Sequence, residues 1–259
     1  MSITITPDTP YTRARSTEID VERLESFRAR APELDRTNSY FHEDLADLRT
    51  IGYPAAVVPA QLGGWGLDLA EAAASQRRLA RYAPATALAL TMHTYWVGIA
   101  LEFEKAGDSS LRWIHQAAVA GEIIAAGHAE TGNDIPVLLS TCVAERVDGG
   151  YRLTGRKQFG SNGPEWRWLG AHAFLADAPG GPHVVHAFID RHAPGVTVVP
   201  TWDTLGMRPT QSHDTVLDGV FVPDDRIAAV VPAGDDTGPF VGAMDIWSLS
   251  LIAAVYLGI

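Results

Sequence analysis

Cysteine is almost missing from this chain: Cys142 is the only one in 259 residues. An intramolecular disulfide is therefore excluded, and a reducing cytoplasm is the simplest setting. Cys142 itself reads as a small apolar strand residue. Basic residues are also scarce. Twenty Lys and Arg face 31 Asp and Glu, giving a net charge of −11. No cationic excess is available to neutralise phosphates, which argues against a nucleic-acid partner. Residues 1–10 lack the basic and apolar segments of a secretory signal. No Walker loop, nucleophile elbow or dinucleotide fingerprint occurs in a strand-turn-helix context, which argues against a Rossmann-type chain. No histidine or cysteine spacing suggests a metal site. Long apolar runs are absent with one exception, Phe240 to Ile259, whose single charge is Asp245. That length would span a bilayer, but the internal charge and the rest of the chain favour a buried helix and no membrane partner.

What remains is an ordinary globular composition, 46% apolar and 20% charged, in a chain long enough to bury a substantial core. The pattern from Asp20 to Gly121 is helical. Phe41, Leu45, Leu48 and Ile51 line one helical face, with Gly52 as a stop. Asp68 caps a helix carrying Glu71 in its first turn and Leu69, Ala72, Gln76 and Leu79 along it. Another apolar helix runs from about Ala85 to Phe103. Near Ile123 the texture changes to short β-forming runs: 140–147, 151–154, 167–176, 184–189 and 215–222. Turn signals such as Asp148-Gly149-Gly150 and Pro179-Gly180-Gly181 separate them. The expected fold is α+β. It comprises an N-terminal all-α domain (1–122, with 1–15 a loose arm), an antiparallel β-barrel or sandwich domain (123–232), and a linker plus helix (233–259).

Chemistry concentrates in a few places. Lys157, Phe159 and Ser161 alternate, so on a regular strand they share one face. A flat ring and a hydroxyl two residues apart suit the edge of a planar cofactor, although an ordinary strand with an inward Phe159 would read the same way. His93 lies on a mostly apolar helix, where a packed histidine is the bland alternative to a functional one. Arg208 is expected to tether its own loop by ion pairing.

Three blocks in this order resemble the acyl-CoA dehydrogenase-type flavoproteins. They are Ala129-Glu130-Thr131-Gly132-Asn133-Asp134, then Gly155-Arg156-Lys157-Gln158-Phe159-Gly160-Ser161-Asn162-Gly163, then Leu205-Gly206-Met207-Arg208-Pro209-Thr210-Gln211-Ser212. The resemblance covers nearly all of the chain from about residue 20. It implies FAD as cofactor, with His128, Ala129, Glu130, Gly132, Asn133, Phe159, Gly160 and Ser161 as its contacts. It also implies an acyl-CoA substrate, dehydrogenated at its α and β carbons as in fatty acid metabolism, a dimeric or tetrameric homo-oligomer, and an electron-accepting protein partner. The Glu130 loop is two residues shorter than the family's, and Ala129 stands where a threonine is usual. The last helix resembles the first helix of the family's C-terminal helical bundle. That bundle normally holds the catalytic base, and no carboxylate follows Asp245, so no base is assigned and the sequence is expected to be a fragment. Two rivals stay open. A flavin monooxygenase of the same fold would draw on His93, and a non-catalytic scaffold would not hold flavin at all.

Overall fold

The computed structural model describes residues 18–134 and 137–259; the loose arm expected over 1–15 lies outside the described residues. The first helix, α1 (Val21–Thr37), begins where the Asp20 side chain accepts from the Arg23 amide, and it ends at Asn38 in the left-handed region. Helix α2 (His42–Thr50) buries Leu45 and Leu48. Helix α3 (Leu69–Ala80) opens on a reciprocal capping box. The Glu71 amide donates to Asp68, and the Asp68 amide donates to Glu71. Two of the orphan donors at the helix start are satisfied in this way. The long α4 (Pro84–Lys105) takes Pro84 in its first turn, where the missing N–H costs nothing. Its middle stretch, Tyr95 to Leu101, is buried on every side. The short α5 (Arg112–Val119) completes the helical layer.

Eight strands follow: β1 (Ile123–Gly127), β2 (Val143–Val147), β3 (Gly150–Gly160), β4 (Trp166–Leu175), β5 (His183–Asp190), β6 (Val196–Val199), β7 (His213–Pro223) and β8 (Ile227–Pro232). They form one sheet in the order β6-β7-β3-β2-β4-β5-β8, with β1 against β4. The expectation of an antiparallel sheet needs one amendment. β1 runs parallel to β4, and β2 meets β4 in parallel at Val143 and Phe174. The β2–β3 hairpin lies between β1 and β4 in sequence, so no tight turn forces them to oppose. β3 is also longer than the run 151–154. It continues through Gly155, where an added Cβ would lie 2.3 Å from Cys142 Sγ. A residue that looks like a breaker is thus the one that lets the strand pass over β2.

The chain closes with α6 (Pro239–Tyr256), the one helix among the described residues that is long and apolar enough by length and composition to cross a membrane. It packs on α3 and α4 instead. Phe240, Met244, Trp247, Leu251 and Val255 are buried there, while Ile246, Leu249, Tyr256 and Leu257 stay exposed. Gly98 makes room for the Trp247 indole, whose Cδ2 would stand 2.2 Å from an added Cβ, and Gly258 lies against the Arg77 carbonyl. Both apolar clusters of the core mix helix and sheet residues. Leu24, Leu45 and Leu90 share one with Ile123, Leu169 and Leu217, so the layers are packed as a unit.

Candidate functional site

Two bulges and a turn build the site. Strand β3 pairs with β7 up to Lys157, slips register, and rejoins at Gly160 opposite His213. Within that slip Phe159 adopts φ 57, and Asn162 just beyond adopts φ 65. On the turn leading into β7, Met207 and Gln211 have φ 54 and 44. Four of the six non-glycine residues with positive φ among the described residues therefore lie on these two segments. Asparagine tolerates this region; Phe, Met and Gln do so at a cost of ~1–2 kcal/mol each. Strain of this kind persists only where surrounding bonds over-determine it, and functional sites are where it collects.

Those bonds come from the helical layer. Buried Tyr40 donates its hydroxyl to Asn162 Oδ1 at 2.9 Å, and Asn162 Nδ2 donates to the Ala89 carbonyl of α4 at 2.7 Å. The Asn162 amide donates to the Thr210 carbonyl, and the Gly163 amide to that of Gln211. Gln211 Nε2 donates to both the backbone and side-chain oxygens of Asn38, and Asn38 Nδ2 donates to the Trp202 carbonyl. Arg208 reaches the Asp35 carbonyl at the end of α1 and pairs with Asp203 at 2.7 Å. A side chain at 163 would collide with the Gln211 carbonyl, 2.4 Å from an added Cβ.

The alternation expected for Lys157, Phe159 and Ser161 is broken by this geometry. Lys157 is buried, Phe159 is 57% exposed with its ring edge-on to Trp202 at 6.0 Å, and Ser161 is buried. The left-handed residue turns the strand, so the three do not share a face. Ser161 instead heads a line of hydroxyls. Its Oγ lies 2.8 Å from Ser212 Oγ, which lies 2.7 Å from Thr210 Oγ1, which donates to the Met207 carbonyl at 2.9 Å.

The Glu130 loop crosses beside this platform. The Gln158 amide donates to the Ala129 carbonyl at 2.9 Å, and Thr131 Oγ1 to Gln158 Oε1 at 3.0 Å. Gly132 has φ 77, and an added Cβ there would meet nothing within 4 Å. Asn133 donates to Glu130 and to the Leu139 carbonyl. Glu130 is buried and fully engaged. Lys157 Nζ, Ser140 Oγ, and the Thr141 amide and hydroxyl all donate to it. Burial pushes its pKa up, but the Lys157 charge and these donors outweigh that and bring it down to about 2. Burial lowers the Lys157 pKa.

The histidines are packed inside. His93 is fully buried, with Nε2 2.8 Å from the Pro54 carbonyl and Nδ1 accepting from the Ile124 amide. Burial takes its pKa down to about 4. Both ring nitrogens are engaged in joining α4 to its neighbours, which is the packed alternative for His93. The His128 ring is engaged inside, on Trp96 and 3.3 Å from His172 Nδ1. Any contact it makes with a ligand on the Glu130 loop thus falls to its backbone. His172 stacks in turn on His186, whose two nitrogens have no partner among the described residues. Burial first, and the Lys157 charge second, take His128 to about 3; burial likewise takes His186 to about 3. The residues singled out from sequence did not include Thr210, Ser212, Asn162 or Gln211 as a bonded set. They lie about fifty residues apart, and the β3–β7 pairing with the Asn162–Thr210 and Gly163–Gln211 backbone bonds beyond it brings them together.

An exposed ring on a strained strand, hydroxyl and amide groups beside it, and an open glycine loop fit a planar tricyclic ring with a phosphate-bearing tail. No group of three or more metal-ligating side chains occurs among the described residues.

Comparison with known proteins gives the family. The family model of the acyl-CoA dehydrogenase N-terminal domain matches residues 24–103, and that of the middle domain matches 124–220. A putative acyl-CoA dehydrogenase, YdbM, from Bacillus subtilis is 28% identical over 238 residues, covering 91% of this chain and 60% of its own length. An L-evernosamine nitrososynthase from a Micromonospora strain is 29% identical over 258 residues, covering 96% and 60%. The X-ray structure of a KijD3 in complex with FMN and a dTDP-linked amino sugar superposes with a TM-score of 0.80 at 29% identity, covering 92% of this chain and 58% of that one. The chain thus spans about 60% of the length of the curated relatives it matches.

Proposed function

The chain belongs to the acyl-CoA dehydrogenase family, and on that footing we propose that it binds a flavin, FAD or FMN, against Phe159 and the Glu130 loop and serves a flavin-dependent monooxygenase acting on a small amine. One observation carries the choice of chemistry: the solved structure that superposes on this chain with a TM-score of 0.80 holds FMN together with an amino sugar nucleotide.

The bound flavin would supply the redox step. The protein's part is to present it. Phe159 would offer a flat apolar contact, the amides and short side chains of residues 129–133 would hold the phosphate-bearing tail, and Ser161 would contact the ring edge. The ligands of the KijD3 complex, FMN and an amino sugar nucleotide, and the name of the nitrososynthase relative, support this reading. YdbM's name supports the second one, acyl-CoA dehydrogenation. The two are separated by supplying reduced flavin, oxygen and a panel of primary amines, then measuring oxygen uptake and hydroxylamine formation. In parallel, acyl-CoA-dependent reduction of a dye is followed without oxygen. Amine-dependent oxygen uptake with an oxidised-nitrogen product supports the proposal. Dye reduction driven by acyl-CoA, with no amine product, replaces it by the second reading.

A further inference from the structure

We infer that Ser161 meets the flavin as a hydrogen-bond acceptor only, that Ser212 and Thr210 are the positioning residues that impose this, and that the site therefore holds reduced flavin in preference to oxidised flavin. The inference rests on the flavin reading above.

Each hydroxyl has one proton and two acceptor lone pairs. The Thr210 proton has a fixed destination, because its partner at 2.9 Å is the Met207 carbonyl, which can only accept. Ser212 Oγ lies 2.7 Å from Thr210 Oγ1. With the Thr210 proton already committed, Ser212 is the donor in that bond. The same step repeats at Ser161, 2.8 Å away, which must donate to Ser212. The line therefore runs one way, from Ser161 through Ser212 and Thr210 to Met207. Both hydroxyl–hydroxyl bonds are buried, so bulk water does not offer the protons another acceptor. The lone pairs of Ser161 are what remains for a ligand.

Read alone, a serine two residues past an aromatic ring would be a donor to the flavin nitrogen that accepts hydride; the two hydroxyls behind it reverse that role. This nitrogen carries a proton in the two-electron-reduced flavin and a lone pair in the oxidised one. An acceptor-only Ser161 bonds the first and opposes the second. The left-handed Met207 and Gln211 bracket the turn that holds Thr210 and Ser212 in line, and the Asn38–Gln211 and Arg208–Asp35 bonds fix that turn to α1.

The test uses the full chain with FMN and FAD, each oxidised and dithionite-reduced under anaerobic conditions. Dissociation constants are measured for both forms, together with the two-electron potential of the bound flavin. The expected result is about tenfold tighter binding of the reduced form, equivalent to a potential about 30 mV above that of free flavin. Ser212→Ala releases the Ser161 proton toward the flavin. Oxidised flavin should then bind more tightly than in the wild type, and the preference should fall to unity or reverse. Ser212→Thr keeps the hydroxyl and restores the preference. Mere loss of packing would weaken both forms together and leave the potential where it was. Wild-type protein that binds the two forms equally, or a Ser212→Ala protein with an unchanged ratio, overturns the inference. Protein that takes up neither form overturns the flavin reading and this inference with it.

Discussion

A phenylalanine held at φ 57 with 57% of its surface in water gains little from burial and loses ~1–2 kcal/mol to backbone strain. Glycine at that position is free of the strain, though it also raises the entropy of the unfolded chain. Phe159→Gly should therefore leave thermal stability unchanged or raise it by up to ~1 kcal/mol. The same change should weaken flavin binding at least about tenfold, the scale of losing one well-placed ring contact. Calorimetric melting and flavin titration of the two proteins check both halves. Lys157 is the opposite case. Its ammonium is 1% exposed and serves the equally buried Glu130. Lys157→Met leaves a buried carboxylate with hydroxyl and amide donors but no cation, and should cost ~3–5 kcal/mol in denaturant unfolding. The double change Lys157→Met with Glu130→Gln should recover part of that loss. Alternation along the strand makes the lysine look like a surface neighbour of Phe159. Its true partner follows from a slip in register that no local pattern encodes.

At the scale of elements, what was legible is what local rules decide. The Asp68 cap, the apolar faces of α2 and α4, and strands β4, β5 and β7 all follow from periodicity and turn residues within a dozen positions. The parallel partnership of β1 and β4, and the brief strands β6 and β8, depend on which distant segment lies alongside, and single-sequence patterning carries no signal for that. The last helix illustrates the same limit. Its composition fits both a membrane span and a packed helix, and the deciding feature is a contact, Trp247 seated on Gly98 of α4. Gly98→Ala pushes a methyl group into the indole and should cost ~1–3 kcal/mol by overpacking. Trp247→Leu should relieve much of that penalty in the double variant while costing stability on its own. A double-mutant cycle in urea reads the coupling, which should be of the order of 1 kcal/mol or more between these touching residues.

For the whole molecule, the telling property is how many imidazoles are kept neutral inside. His93, His128 and His186 are held at about 4, 3 and 3, and His172 lies well below its ordinary value, with burial the leading cause in every case. An unfolded chain takes up protons at these residues near pH ~6.5, which the folded chain refuses until far lower pH. The stability they support is therefore complete above about pH 6.5 and is lost as pH falls toward 3. Glu130, at about 2 against an ordinary 4.5, works in the same direction at the acid end. Melting temperature should fall steeply between pH 7 and 4. His186→Phe removes two ring nitrogens that have no partner among the described residues and should flatten that slope by up to ~1.4 kcal/mol per pH unit. A wild-type melting temperature that holds level from pH 7 to 4 would contradict this account.

Trp202 gives the molecule an optical consequence. Of the seven tryptophans, Trp96, Trp166 and Trp247 are sealed in the core, whereas Trp202 stands edge-on to the exposed Phe159 ring. A yellow chromophore settling on that ring would come to rest beside one indole and drain its emission by energy transfer. The arrival of the chromophore should be visible as dimming of ultraviolet-excited fluorescence, with no dye attached. Trp202→Phe protein should take up the same chromophore with a smaller loss of light, and the difference between the two signals would belong to this one face of the sheet.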